Sequence, residues 1–77
     1  MNKPRRKQLE AIVDRIDAIV ADLEWIRGDE EEYRDNIPEN LQGSERYERA
    51  DSAVYSLEDA LDTLSMVIDS INEAIEQ

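Results

Sequence analysis

The residues able to do chemistry here are of few kinds. Twenty carboxylates face nine basic side chains, and the chain has no histidine and no cysteine. Without histidine, the commonest general base and the commonest metal ligand are both missing. A di-iron carboxylate site in a helical bundle needs Glu-x-x-His on two helices. Only the carboxylates remain for such a site, and Glu30 alone falls in the apolar register. The run Asp29–Glu32 has the charge to attract a divalent cation, but no calcium-loop spacing surrounds it. Paired carboxylates for glycoside cleavage need a rigid cleft, and no glycine-rich phosphate loop is present. The pattern points away from catalysis, and no cofactor is implied.

A different constellation lies around the middle of the chain. Trp25, Arg27, Tyr33, Arg34, Arg46, Tyr47, Arg49 and Tyr55 gather there, joined by Asn36, Asn40 and Gln42. Aromatic rings and arginines together are the composition of contact surfaces. Arginine forks and stacking rings also suit an anionic ligand such as a nucleotide. The competing account assigns them to the fold: Tyr33 and Tyr47 fill wide seam positions, Trp25 covers a helix flank, and the arginines neutralise nearby acids. Trp25 and Tyr55 lie off the main apolar rows and are the better candidates for contact with another molecule.

The elements that must position these residues are written in heptads. Tyr47, Val54, Leu61, Ile68 and Ile75 are seven apart, and Ala50, Leu57, Leu64 and Ile71 fall between them. This alternation of three and four is a coiled-coil seam. A flanking row, Ala53, Ala60, Val67 and Ala74, is mostly small and would let another helix come close. In the first half, Leu9, Ile16 and Leu23 form one row, while Ile12, Ile19 and Ile26 form another that Tyr33 continues. Val13 and Val20 make a third row, and Ala11, Ala18 and Trp25 a fourth, so the apolar face is wider than a two-stranded seam.

The expected fold is all-α: an antiparallel hairpin of two long, coiled-coil-like helices forming a single domain over residues 1–77. Helix 1 is expected over about 4–35, a loop over 36–43 and helix 2 over about 44–76, each helix ~48 Å long at its ~1.5 Å rise per residue. Asn2 or Lys3 caps the first helix, with Pro4 in its first turn. Ser44 caps the second, and Glu45 and Glu48 favour its positive end. Gly28 marks a kink, a close approach of the other helix, or an end. Pro38 breaks the helical run, and Asn36 and Gly43 suit turn or left-handed positions. Ile37 and Leu41 should plug the end of the pair. The hairpin brings Trp25 near Val54 and Tyr55, the basic head near Glu73 and Glu76, and Arg46 and Arg49 near the acids 29–32. Surplus apolar rows predict that two hairpins pair into a four-helix bundle, a symmetric homodimer.

Charge sets the remaining bounds. The formal net charge is −11, yet Lys3, Arg5, Arg6 and Lys7 make the first seven residues purely basic. The acidic remainder should repel nucleic acid and anionic membranes and favour a protein partner with a basic surface. No apolar run reaches the ~20 residues a membrane span needs, and no apolar segment follows the basic head as in a secretory signal. The lack of cysteine fits a reducing cytoplasm.

Residues 31–50, EEYRDNIPENLQGSERYERA, carry a resemblance. They resemble the link between two heptad helices in short acidic helical proteins of phages and mobile elements of Gram-positive bacteria. Here Arg34 stands between Tyr33 and Asp35, a small variation. The resemblance covers about 20 residues and implies a genomic setting in a bacterial host, with no activity attached.

Overall fold

A computed structural model describes all 77 residues. Helix α1 spans Lys3–Asp35 and helix α2 spans Glu45–Glu76, joined by a link that holds one short 3-10 turn, Glu39–Leu41. The helices pack along each other as an antiparallel hairpin, a rod of 59 × 15 × 12 Å. Both starts are capped as their sequences require. The Asn2 side chain accepts from the Arg5 N–H at 2.9 Å, and the Ser44 hydroxyl accepts from the Tyr47 N–H at 3.3 Å. α1 passes through Gly28 without ending. A Cβ added there would meet nothing within 4 Å, so this glycine is not the site of a close helix approach.

Of the turn and left-handed alternatives at Asn36 and Gly43, the link takes the turn at both. No residue has a positive φ, so neither Asn36 nor Gly43 is left-handed. The chain instead turns through successive short backbone bonds. The Ile37 N–H donates to the Arg34 carbonyl at 3.2 Å, Leu41 to Pro38 at 2.8 Å and Ser44 to Leu41 at 3.0 Å. Such tight turns keep φ negative throughout. Of the two apolar link residues, Ile37 alone plugs the end, at 4% exposure, while Leu41 stays 43% exposed.

α2 turns the anticipated seam inward. Ala50 and Val54 are buried, and Tyr47, Leu57, Leu61, Leu64, Ile68, Ile71 and Ile75 are half-buried. α1 makes the less obvious choice. Its inward rows are Leu9, Ile16, Leu23 and Glu30 together with Arg6, Val13, Val20, Arg27 and Arg34. The row Ile12, Ile19, Ile26 and Tyr33 is therefore exposed, correcting the expectation that Tyr33 continues the seam. Either flank of the Leu9 row could face α2. The flank chosen lets Arg27 and Arg34 reach acids on the opposite helix, and their long stems cover apolar surface on the way.

Neither expected charge contact forms an ion pair. Lys3, Arg5, Arg6 and Lys7 form no ion pair with Glu73, Glu76 or any other acid. Arg6 instead turns onto the seam side, where its Nε is shielded and has no acceptor. Arg46 and Arg49 do come beside Glu30, as expected, but make no ion pair with acids 29–32. Arg49 reaches Glu45 one turn back on its own helix, the nearer carboxylate at four-residue spacing.

Candidate interaction surface

The seam divides the rod into two broad sides, because each helix carries one flanking row on either side of it. On one side, Arg27 and Arg34 clamp the helices together. The Arg34 guanidinium donates to Asp51 on α2 at 2.9 Å and to Asp35 at 3.0 Å. Arg27 binds Glu31 at 3.2 Å and lies 3.7 Å from Glu58 on α2. Arg34 is held charged more firmly than an ordinary guanidinium, first by the hydrogen bond to Asp35, against desolvation, and then by Asp51. The two arginines are seven residues apart, as are their acids Asp51 and Glu58, so the same contact repeats one heptad along the antiparallel pair.

Farther along this side the arginines run out and the acids continue. Asp17 and Glu24 of α1 and Asp62 and Asp69 of α2 line an open groove of about 440 Å³, floored by Val20, Leu61 and Ile68. None of these four carboxylates has a cationic partner. No three acids converge closely enough to hold a metal ion. Tyr55 stands seven residues before Asp62 on the same helix row and is exposed.

The opposite side is apolar along its length. Ile12, Ile19 and Ile26 of α1 stand on the flank away from the clamp, and Tyr33 ends that row. Tyr33 meets Arg46, Arg49 and Ala50 of α2 in a depression of about 370 Å³ that Glu30 and Glu45 also line. That shared depression places the α2 row Arg46, Ala53, Ala60, Val67 and Ala74 on the same side as the isoleucines. Trp25 is 75% exposed and lies beside Asp22, Ile26 and Asp29, all on α1, so it does not lean on Val54 or Tyr55.

The eight residues expected at a contact surface thus separate. Tyr33, Arg46 and Arg49 come together at the link end. Arg27 and Arg34 are half-buried and serve the helix pair. Tyr47 is half-buried in the seam, and Trp25 and Tyr55 stand apart and exposed. The four groove acids were not singled out by residue type, while the isoleucine row was expected in the seam and lies outside it. The signal for the acids was there: Asp17 and Glu24 are seven apart, and so are Asp62 and Asp69. No helix is long and apolar enough to cross a membrane. Compared with protein families, with curated proteins and with solved structures, the chain matches none.

Proposed function

We propose that this protein is a non-enzymatic, acidic helical binding protein that works as a homodimer and docks on a protein with a basic surface. The observation that carries the reading is the groove in which Asp17, Glu24, Asp62 and Asp69 stand without cations. Carboxylates held on rigid helices and not neutralised from within project a field that steers a basic partner toward them. In its most specific form the acidic side occupies a groove built for nucleic-acid phosphates. The resemblance of residues 31–50 to phage and mobile-element proteins supports a modulator or inhibitor acting on a bacterial host protein in the cytoplasm.

The test uses DNA-binding proteins retained on a duplex-DNA column from a Gram-positive bacterial extract. The full-length protein should displace at least one of them, and purified target should bind with an affinity that falls steeply as salt rises. Asp62→Asn with Asp69→Asn should weaken that binding with helicity unchanged. An affinity flat from low to high salt rejects charge mimicry.

A second reading rests on the depression at the link end, where Tyr33, Arg46 and Arg49 converge. These side chains suit an anionic small ligand such as a nucleotide, though Glu30 and Glu45 oppose an anion there. Calorimetry against a nucleotide panel decides it: heat lost in Arg46→Ala with Arg49→Ala supports the site, and no heat with any nucleotide removes it. A third possibility, a plain oligomerisation module, predicts that neither set of substitutions changes any binding.

A further inference from the structure

We infer that the apolar side of the hairpin is covered by a second copy of this chain, related by a two-fold axis parallel to the rod, so that α1 of each copy lies over α2 of the other. The inference rests on the dimeric reading above and assigns the face, the arrangement and the residue pairing that the reading leaves open.

The first argument is area. The chain exposes 5777 Å². A compact monomer of 8.9 kDa exposes roughly 4,800 Å² by the usual scaling of surface with mass. The surplus is about 1,000 Å², close to the ~800 Å² each partner loses in a standard interface. Only Ile37, Ala50 and Val54 are buried, so one hairpin has almost no core of its own. Chains of this size without disulfide or metal normally draw stability from association or from unusually regular packing.

The second argument is that this face complements itself in size. Its α1 row is bulky: Ile12, Ile19, Ile26 and Tyr33. Its α2 row is mostly small: Ala53, Ala60, Val67 and Ala74. A two-fold axis along the rod keeps every residue at its own height. Arg34 pairs with Asp51 and Arg27 with Glu58, and continuing that register sets Ile26 close to the height of Ala60, Ile19 to that of Val67 and Ile12 to that of Ala74. Laying α1 over the second copy's α2 therefore puts each isoleucine on a small residue, the alternation of large and small that lets facing layers interdigitate. Turning the copy end over end would set isoleucine against isoleucine and leave the alanines opposite alanines. The first arrangement leaves the Asp17, Glu24, Asp62 and Asp69 groove of both copies facing outward, where a basic partner can reach it.

Light scattering and sedimentation equilibrium of the full chain, over a wide concentration series, test the arrangement. The wild type should show twice the 8.9 kDa chain mass. Ile26→Arg and Ala60→Asp, made separately, should each weaken self-association by about tenfold or more. If either variant also loses helicity, the mixture still discriminates. In a mixed pair, Arg at 26 of one copy meets Asp at 60 of the other, and the second contact is wild type. The mixture should therefore recover the dimer mass and the helical signal. A wild type that stays at the single-chain mass overturns the inference, as do variants that associate like wild type. A mixture that fails to recover also overturns it, since an α1-on-α1 arrangement gives no rescue. Asp62→Asn should leave the mass unchanged while weakening the basic partner. Loss of partner binding with an intact dimer, or the reverse, therefore tells the two proposals apart.

Discussion

At the scale of single residues, the most consequential side chains are two arginines facing the seam. Arg27 and Arg34 occupy inward heptad positions and still reach carboxylates across the helix pair. Removing one partner leaves the other charge part-shielded and alone, so Arg34→Met should destabilise the hairpin. Asp51→Ala should add little more once Arg34 is gone, and a double-mutant thermal cycle reads that coupling. The direction of the Arg34 shift fixes its pH behaviour. A raised pKa in the folded state means that the contribution is complete below the ordinary guanidinium range and lost only as pH rises through the folded value. The gap in melting temperature between wild type and Arg34→Met should therefore stay constant from about pH 6 to pH 10. Gly28 offers a cleaner case. It sits in continuous helix with nothing within 4 Å of a new Cβ. Gly28→Ala should stabilise by about 0.5–1 kcal/mol, seen as a higher midpoint in urea at unchanged slope.

At the scale of elements, each helix begins where its cap allows. The Ser44 hydroxyl holds the Tyr47 N–H in the first turn of α2. Ser44→Ala should cost about 1 kcal/mol, measured by chemical unfolding, with a larger local effect on amide exchange at residues 45–48. Packing of the pair is concentrated near the link, where Ile37, Ala50 and Val54 are buried. Val54→Ala should cost about 2 kcal/mol, the transfer term of the lost methyls plus a cavity. An equivalent truncation at the outward Met66 should cost little in an isolated hairpin. The link and both caps could be read from residue types in sequence: Ser44, Asn2 and Pro38 each do what their chemistry allows. At Asn36 and Gly43 residue type allowed a turn or a left-handed position, and the structure takes the turn with φ negative.

At the scale of the whole molecule, shape decides more than any contact. A rod 59 Å long with a radius of gyration of 17.5 Å is far from the ~11.5 Å of a compact domain of its length. It keeps two long sides in water, one apolar and one acidic. The proposed roles divide between them, with self-association on the first and a basic partner on the second. Raising salt should therefore separate the two: partner binding weakens as charges are screened, while burial of the isoleucine row does not. Sedimentation at low and high salt, beside partner titrations under the same conditions, makes the comparison.

Sequence alone determined the class of object: two capped heptad helices, a proline-containing link between them, and a polar inventory without histidine or cysteine. Those features are local, set by propensity, spacing and functional-group chemistry, and they need no knowledge of what lies opposite. Only the tertiary structure decided which flank of the Leu9 row faces α2. Periodicity presented Val13 and Val20 or Ile12 and Ile19 as near-equal candidates. In the structure the inward flank is the one whose Arg34 and Arg27 reach acids distant in sequence, Asp51 and Glu58. That one rotation of α1 left the isoleucines and the four groove acids on opposite sides of the rod, because a helix that turns one stripe inward must present the others to solvent.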